Sequence, residues 1–363
     1  MAGYTGIGRY IHGLLRYAGD HKGDYSFDIA ALTRPGSRTH ESVRVRQVTA
    51  ASRVFSAREQ LEIPRLIAQV NARLVHVPHF NAPLFSRAPV VVTIQDCAFD
   101  RVPAERPSFP AYVYYRAMMT SALRKAVRIV APSHGTRADL LSLYGVPEDK
   151  VTIIHHGIDL RAFHPRDTSD AAWSAVRARF RLDVPYVLYV GLIRPRKNLT
   201  TLLASVRRLR DQFHAPFRLL IAGPADTRFL DVAADARELG ISHIVTHAGF
   251  VPDDELPVLY RHAAMVVLPS LVEGFGLPIL EGMASGVPVI ASDIPVHREV
   301  AGDAALLVPP HDIDGLSGAM RRLFSDRDLV TSLRSRGKER ARGFSSDTTA
   351  QRTLALYEEL LGA

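Results

Sequence analysis

The 363-residue chain lacks several features, and each absence narrows the class of protein. It has one cysteine, Cys97, so no disulfide forms within the chain. It shows no apolar run near the ~20 residues of a membrane-spanning helix, and residues 1–13 lack the apolar core of a signal peptide. With 47% hydrophobic and 23% charged residues, the composition predicts a globular protein long enough for two domains.

Acidic residues are scarce in the first half of the sequence. Residues 1–165 contain 21 Lys+Arg and 13 Asp+Glu, whereas residues 166–363 contain 24 of each, so the net charge of +8 lies in the first half. This excess predicts an anionic partner there, such as a membrane surface, unless the arginines are merely solvated. No nucleic-acid-binding module is recognisable. We expect a cytoplasmic protein in peripheral contact with an anionic membrane, and we single out five arginines for that contact: Arg34, Arg38, Arg44, Arg46 and Arg53.

Short apolar strands alternate with amphipathic helices throughout the sequence. Such alternation predicts parallel sheets with helices on both faces. Two runs of it predict an α/β protein with two doubly wound, Rossmann-like domains. We place a first domain at residues 1–165, a second at residues 166–343, and at residues 344–363 a C-terminal helix that crosses back to the first domain.

Residues 269–286, PSLVEGFGLPILEGMASG, hold two glutamates, Glu273 and Glu281, with seven residues between them. We expect a loop at residues 270–277 and a helix at residues 278–285, with proline at its first position and Glu281 in its first turn. The glycine-rich turn and the helix N-terminus suit a phosphate. Two carboxylates beside a phosphate site can accept hydrogen bonds from hydroxyl groups. A sugar nucleotide has both phosphate and hydroxyl groups. A glutamate that only complements the helix dipole is the alternative.

Three cations, Arg194, Arg196 and Lys197, follow a predicted strand at residues 186–190. In an open parallel sheet ligands bind at the carboxyl ends of the strands. We therefore expect this loop and the Glu273 loop to lie at the same edge. Arginine and lysine there can neutralise a diphosphate and stabilise it as a leaving group, although a solvated basic loop is the alternative.

The first half offers weaker candidates at strand ends and before a helix. Two glycines, Gly6 and Gly8, precede a helix, which suits a close approach of backbone to a ligand. Adjacent histidines on a strand point to opposite sides, so the His155–His156 pair makes a poor metal site. Candidate acceptor-side groups follow two strands: His79, Asn81, Gln95 and Asp96.

Together these residues resemble the retaining nucleotide-sugar glycosyltransferases of family 4 (group 1), which have the two-domain GT-B fold. The resemblance covers nearly the whole chain, in TGIGRY, PVVVTIQD, IVAPSHGTRADL, VTIIHHGID, VGLIRPRKN, HAGFVPDDELPVLYRHA, PSLVEGFGLPILEGMASGVPVI and GDAALLV. It implies transfer of a sugar, such as mannose or a deoxyhexose, from a nucleotide diphosphate donor to a glycan or lipid-linked acceptor, as in cell-surface polysaccharide synthesis. The transfer it implies retains the anomeric configuration and needs neither metal nor cofactor.

The resemblance also implies roles for individual residues. Glu281 is expected to hold the nucleotide ribose, Glu273 the donor sugar hydroxyls, and Arg196 with Lys197 the diphosphate. The catalytic candidates are Glu273, Arg196, Lys197 and Gln95. The donor-binding candidates are Glu281, Gly274, Phe275, Gly276, Leu277, Gly191, Phe250 and Val251, with Gly6 and Gly8 near the donor phosphates across the cleft.

Two departures from the family pattern leave alternatives open. The family usually has histidine near the donor sugar where this chain has Gln95, and glutamine hydrogen-bonds but does not titrate. Either the donor sugar differs or the role of Gln95 is only positional. Family members also begin with an apolar strand, whereas only residues 1–4 precede the first glycine turn here, so we expect a truncated start or a strand supplied otherwise. The alternatives are a nucleotide-sugar-binding protein with impaired catalysis, a sugar-nucleotide epimerase, and a sucrose- or trehalose-type synthase.

Overall fold

The structure is a computed structural model that describes residues 6–21, 23, 25–34, 42–164, 170–226, 228–229 and 231–362. The first elements in chain order are α1 (Gly6–Asp20), β1 (Ile29–Thr33), β2 (Val45–Thr49), α2 (Glu59–Gln69), β3 (Val75–Val77), β4 (Val90–Thr93), α3 (Ala98–Arg101), α4 (Phe109–Lys125), β5 (Ala126–Ala131), α5 (His134–Tyr144) and β6 (Val151–Ile153). The sequence pattern does not predict β2, VRQVT, because Arg46 and Gln47 interrupt its apolar run. Parallel pairing with β1 forms the strand.

The second half of the chain repeats the alternation and ends in helices. Its elements are α6 (Asp170–Phe180), β7 (Tyr186–Val190), α7 (Leu199–Gln212), β8 (Arg218–Ala222), α8 (Val232–Glu238), β9 (Val245–Gly249), α9 (Leu256–His262), β10 (Met265–Leu268), α10 (Leu277–Ala284), β11 (Val289–Ser292), α11 (Pro295–Ala301), β12 (Leu306–Val308), α12 (Ile313–Ser325), α13 (Arg327–Arg342) and α14 (Ser346–Leu361). No helix in the described ranges is both long and apolar enough to cross a membrane.

The chain divides into two compact units. Unit 1 contains residues 1–100, 106–157 and 345–363, and unit 2 contains Arg101–Glu105 and Ile158–Phe344. The predicted boundary at 165/166 falls outside the described residues. With these limits unit 1 has 20 Lys+Arg and 14 Asp+Glu, and unit 2 has 25 and 23, so the basic excess is concentrated in unit 1 but does not lie wholly there.

Unit 1 holds two parallel sheets, β1-β2 and β3-β4-β5-β6. The C-terminal helix α14 packs against α1, where Arg16 forms a 2.7 Å ion pair with Asp347 and Gln351 donates to the Tyr17 hydroxyl at 2.8 Å. The predicted return of this helix to the first half of the chain is therefore confirmed. The predicted absence of a first strand concerns residues 1–4, which lie outside the described residues.

Unit 2 contains one six-stranded parallel sheet in the order β12-β11-β10-β7-β8-β9. Its four inner strands, β11, β10, β7 and β8, are mainly apolar and almost wholly buried, as expected of a sheet covered on both faces. Two buried clusters of apolar side chains lie in this unit. Together the two units confirm the predicted α/β class with parallel sheets, and unit 2 shows the strand order of a doubly wound sheet.

Candidate active site

The strand order of unit 2 reverses between β7 and β10. The chain places β7, β8 and β9 side by side, then returns to the other side of β7 to place β10, β11 and β12. In open parallel sheets ligands bind at the carboxyl ends of strands at such a reversal. The two segments predicted to carry the chemistry, the basic loop after β7 and the Glu273 loop after β10, both leave the sheet at this point.

The basic loop, residues 191–198, is held by its last residue. Asn198 adopts a left-handed conformation (φ 56°), and its side-chain amide donates to the carbonyls of Pro269 at 3.0 Å and Pro310 at 2.6 Å. Asparagine tolerates this conformation better than most residues because its short polar side chain can hydrogen-bond locally. The loop also receives a backbone hydrogen bond at the Arg196 carbonyl from the Leu271 amide, at 2.7 Å. The two loops are thus joined directly, as the sequence predicts.

The Lys197 ammonium forms an ion pair with Oε1 of Glu273. Ser270 donates to the same oxygen at 2.7 Å. Only 14% of the Lys197 side chain and 9% of the Glu273 side chain are exposed. Burial would raise the pKa of Glu273, but Lys197 and then Arg196 outweigh it and lower that pKa to about 2. The carboxylate is therefore ionised at neutral pH.

The glycine turn ends at the N-terminus of α10. Gly276 precedes the helix with φ 99°, a conformation that favours glycine. Because α10 begins at Leu277 rather than Pro278, Glu281 lies beyond the first turn, and the prediction that it falls in the first turn is wrong. The N–H groups of this helix end remain suited to a phosphate. Phe275 is buried and packs against Phe344, with ring centroids 5.9 Å apart.

Glu281 is 1% exposed, and one of its oxygens accepts a 2.7 Å hydrogen bond from the hydroxyl of Tyr260. Tyr260 is itself fully buried on α9. The tyrosine therefore fixes one side of the carboxylate. Its predicted contact with a ribose stays a prediction.

The sequence gives no signal for Glu105, a further carboxylate that belongs to unit 2. It lies in Arg101–Glu105, a segment that precedes α4 in the chain. Its Oε1 accepts from the backbone amide of Arg196 at 2.8 Å, and its Oε2 lies 3.8 Å from the guanidinium of Arg196. Because the two residues are 91 positions apart, no local pattern could have connected them. Arg194 instead lies 3.5 Å from Asp226.

Two of the predicted donor-binding residues, Phe250 and Val251, follow β9. Phe250 is 45% exposed, whereas Val251 is buried in the core of unit 2. The ends of β8 and β9 meet closely, since the Gly223 amide donates to the Gly249 carbonyl at 2.7 Å. A Cβ on Gly223 would lie 2.0 Å from the Gly191 carbonyl oxygen, so this approach requires glycine. Gly191 is thereby fixed beside the candidate site.

Unit 1 brings a second set of predicted residues together. Gln95 accepts a 2.6 Å hydrogen bond at Oε1 from Nε2 of His156, and the His156 ring packs against Tyr10, with centroids 5.0 Å apart. Tyr10 lies on α1, which begins at Gly6, so Gly6 and Gly8 lie within this helix and the prediction that they precede it is wrong. Burial lowers the pKa of His156 to about 4, so its ring is neutral at pH 7. The structure therefore pairs Gln95 with His156, which the sequence pattern indicates only as a poor metal ligand.

Of the other acceptor-side candidates, Asn81 and His79 lie beside an aromatic cluster. Nδ2 of the Asn81 side chain donates to the Glu59 carboxylate at 2.8 Å, and Oδ1 of the same side chain accepts from the Tyr114 hydroxyl at 2.8 Å. The ring of His79 lies 4.0 Å from that of Phe80. Asp96 caps the start of α3 by accepting from the Ala98 amide at 3.0 Å. The predicted acceptor-side role of Asp96 stays a prediction.

Two family models match the chain. The model described as "Glycosyl transferases group 1" matches residues 175–342, and that described as "Glycosyltransferase Family 4" matches residues 4–162. The first covers both loops of the candidate site, and the second covers Gln95 and His156. The two matches together confirm the resemblance carried by the sequence motifs.

Curated relatives point the same way. The chain is 31% identical over 296 residues to O-antigen chain mannosyltransferase B of Escherichia coli, covering 79% of this chain and 74% of that protein. It is 33% identical over 251 residues to the D-inositol 3-phosphate glycosyltransferase of Nocardia farcinica. This match covers 66% of this chain but only 54% of the relative.

Solved structures with the same fold are more distant in sequence. Sucrose-phosphate synthase from Thermosynechococcus elongatus has a TM-score of 0.78 at 23% identity, covering 97% of this chain and 93% of that one. The Anabaena protein HepE, solved with UDP and glucose, has a TM-score of 0.75 at 18% identity, covering 98% and 96%. At these identities the likeness concerns the fold, which is that of the two-domain GT-B glycosyltransferases.

Proposed function

The chain belongs to the glycosyltransferases of group 1, family 4, and from that premise we propose that it transfers a sugar, such as mannose or a deoxyhexose, from a nucleotide diphosphate donor to a glycan or lipid-linked acceptor, with retention. Its enzyme class is glycosyltransferase. The observation that carries the proposal is the ionised, largely buried Glu273 beside Lys197, Arg196 and the N-terminus of α10, at the strand-order reversal of unit 2.

The proposed roles follow from the charges. The diphosphate of the donor takes the N–H groups of α10 and the cations Arg196 and Lys197, which stabilise the negative charge that develops as the bond to the sugar breaks. Both hydrogen bonds made by the Glu273 carboxylate within the described residues go to Oε1. Oε2 is thus available for a donor-sugar hydroxyl, and Glu281 takes the ribose hydroxyls.

A donor panel tests the proposal. Purified protein is screened against nucleoside diphosphates by thermal shift, because a ligand that binds only the folded protein raises its melting temperature by mass action. Nucleotide sugars with the preferred base are then assayed for transfer and for the anomeric configuration of the product. Transfer with retention supports the proposal. Donor binding without transfer or hydrolysis would support the rival, a binding protein with impaired catalysis.

The contacts of Gln95 bear on the alternative of a binding protein with impaired catalysis. Because its Oε1 is already taken by His156, a positional role for Gln95 fits the geometry better than a proton-transfer role. A sucrose- or trehalose-type synthase would instead be recognised by transfer to a free sugar or sugar phosphate. The acceptor panel should therefore include both free sugars and lipid-linked saccharides.

We also propose that unit 1 makes peripheral contact with an anionic membrane. The five arginines named for this role do not form its best-supported surface: Arg38 lies outside the described residues and Arg44 donates to the Tyr25 carbonyl at 2.7 Å. Helix α4 offers a better face. It has no acidic residue, exposes Phe109 (79%) and Val113 (50%), and ends in exposed Arg124 and Lys125, of which Lys125 also donates to the Leu84 carbonyl.

Cations near an anionic bilayer gain about 1 kcal/mol each, and the gain is lost within a Debye length. Co-sedimentation with anionic and neutral vesicles at low and high salt tests the contact. Salt-sensitive binding to anionic vesicles alone, reduced in Phe109→Ser and Arg124→Glu, is the expected result. Equal and negligible binding to both would contradict it.

A further inference from the structure

His297 is a buried histidine next to the Glu273 loop that none of the proposed roles uses. It lies on α11, which follows the carboxyl end of β11, and it is 0% exposed. Its Nδ1 lies 2.9 Å from the carbonyl oxygen of Ser292 and 3.0 Å from the Ser292 hydroxyl. A carbonyl only accepts, so Nδ1 carries the proton and donates.

From Ser292 a chain of hydrogen bonds leads to Glu273. The Ser292 hydroxyl donates to the carbonyl oxygen of Ser270, and the Ser270 hydroxyl donates to Oε1 of Glu273 at 2.7 Å. All four residues belong to unit 2, and Ser270, Ser292 and His297 are each no more than 2% exposed. The orientation of the carboxylate is therefore tied to the imidazole through two serines.

The other edge of the imidazole contacts the far end of the same loop. A Cβ placed on Gly276 would lie 3.4 Å from Cδ2 and 3.6 Å from Nε2 of His297. Nε2 is buried and has no hydrogen-bond partner among the described residues. Burial is also the main reason that the pKa of His297 falls to about 4, which keeps the ring neutral at pH 7. One neutral ring thus supports the glutamate loop at both ends, Glu273 and Gly276.

We propose that His297 is a positioning residue which, through Ser292 and Ser270, holds Oε1 of Glu273 in place and so leaves Oε2 directed at the donor sugar. The inference rests on the proposed function, since it needs Glu273 to bind that sugar. A buried hydrogen bond contributes roughly 3–10-fold to an equilibrium, and loss of the relay removes at least one such bond and the order of the loop. The expected effect on kcat is a loss of about 10-fold.

Three variants test the proposal: His297→Leu, His297→Asn and Ser292→Ala. Leucine removes the hydrogen-bond donor at position 297. Asparagine retains an N–H group that reaches the Ser292 carbonyl, so His297→Asn should keep most of the kcat that His297→Leu loses. Binding of the bare nucleoside diphosphate, measured by calorimetry, should change by less than about threefold, because this ligand lacks the sugar that Glu273 is proposed to contact and Lys197, which is proposed to bind the diphosphate, is unchanged. His243→Leu, an exposed histidine of the same unit, is the matched control.

The variants are repeated in a Glu273→Gln background. A residue that acts only through Glu273 has little further effect there, whereas a merely structural residue costs the same factor in both backgrounds. An undiminished kcat, an equal loss of nucleotide affinity, or the same loss in both backgrounds would overturn the proposal. If His297→Leu does not fold, Ser292→Ala carries the test alone. Wild-type transfer in the same assay tests the proposed function separately.

Discussion

The ion pair between Lys197 and Glu273 allows stability and catalysis to be tested together. Lowering the pKa of Glu273 from 4.5 to about 2 corresponds to about 3 kcal/mol of stability, at ~1.4 kcal/mol per pKa unit. This contribution is complete above pH 4.5 and is lost as the pH falls through about 2. Lys197 is the first of the charges that lower this pKa. Because Arg196 and Ser270 remain, Lys197→Ala should cost about 2 kcal/mol at pH 7, less than the roughly 3–5 kcal/mol typical of leaving a buried charge without its partner.

A single tryptophan makes the measurement specific to unit 2. Trp173 is the only tryptophan of the chain; it lies on α6 and stacks on His262 with ring centroids 3.9 Å apart. Tryptophan fluorescence during urea unfolding therefore follows this unit. Wild type, Lys197→Ala, Glu273→Gln and the double variant form a cycle whose coupling free energy should be at least ~1.5 kcal/mol. The exposed Lys338 of the same unit provides the control, and Lys338→Ala should lie within about 0.5 kcal/mol of wild type.

Transfer rates complete this test. Loss of a positive charge at the leaving diphosphate should lower kcat about 100-fold in Lys197→Ala, by analogy with the loss of one oxyanion-stabilising donor. Additive stability costs would show that the two side chains do not interact across the buried pair. A rate near wild type would refute the role of Lys197 in leaving-group stabilisation, whatever the stability result.

Three further outcomes are expected. Glu281→Ala should weaken nucleoside diphosphate binding by roughly 1.5–3 kcal/mol for each charge-assisted hydrogen bond lost; calorimetry showing unchanged affinity would contradict the ribose assignment. Transfer should survive excess EDTA, because cations and a helix N-terminus balance the diphosphate; loss of activity restored by a divalent ion would disprove this. Finally, His156 and His297 have pKa values near 4 when folded and near 6.5 when unfolded, so each should destabilise the fold as pH falls from about 6.5 to about 4, by up to about 3 kcal/mol. Thermal melts from pH 7 to 4.5 should show a shallower pH dependence in His297→Asn and His156→Asn; an unchanged slope would show that these rings do not titrate on unfolding.

The sequence predicts best those elements whose local pattern agrees with their burial. The apolar runs in residues 186–190 and 218–222 predict strands, and β7 and β8 occupy these residues in a sheet that is covered on both faces. The patterns of residues 109–125 and 134–144 predict helices, and α4 and α5 have these bounds. In α5 the hydroxyl of Ser133 accepts from the Thr136 amide and Gly145 ends the helix in the left-handed conformation, signals that are readable from sequence.

Helix α13 shows why other elements escape prediction. Its buried positions include Gly337 and Ala341, which a hydrophobic pattern does not register. Small residues are needed because a Cβ on Gly337 would lie 3.1 Å from a side-chain carbon of Met283 on α10. The close packing of α13 and α10 thus depends on the tertiary structure, which the local sequence pattern does not show. The sequence pattern does not predict the polar helix α6 either, since its apolar contacts with the core are few, chiefly Trp173, Val176 and Phe180.

The same distinction divides the candidate site. Arg196, Lys197 and Glu273 were predictable because strand order brings the ends of β7 and β10 together and each motif follows its strand directly. Glu105, Ser292 and His297 were not, because each contacts the loops through packing between distant segments. The local sequence therefore predicts the residues that are proposed to contact the donor, but it does not predict the residues that hold them in position.

The charge balance of these groups has a consequence for donor binding. Lys197 is paired with Glu273, and Arg196 lies beside Glu105, so two cations face two carboxylates within unit 2. On the proposed function, an arriving diphosphate does not enter a site of unpaired cations; it competes with Glu273 for Lys197. As Lys197 turns to the phosphates, Glu273 loses its strongest partner at Oε1 and retains Ser270. Glu273 then exchanges Lys197 for sugar hydroxyl groups and keeps hydrogen-bond partners throughout. The hydrogen bond from Ser270 holds the carboxylate in place when Lys197 moves to the phosphates.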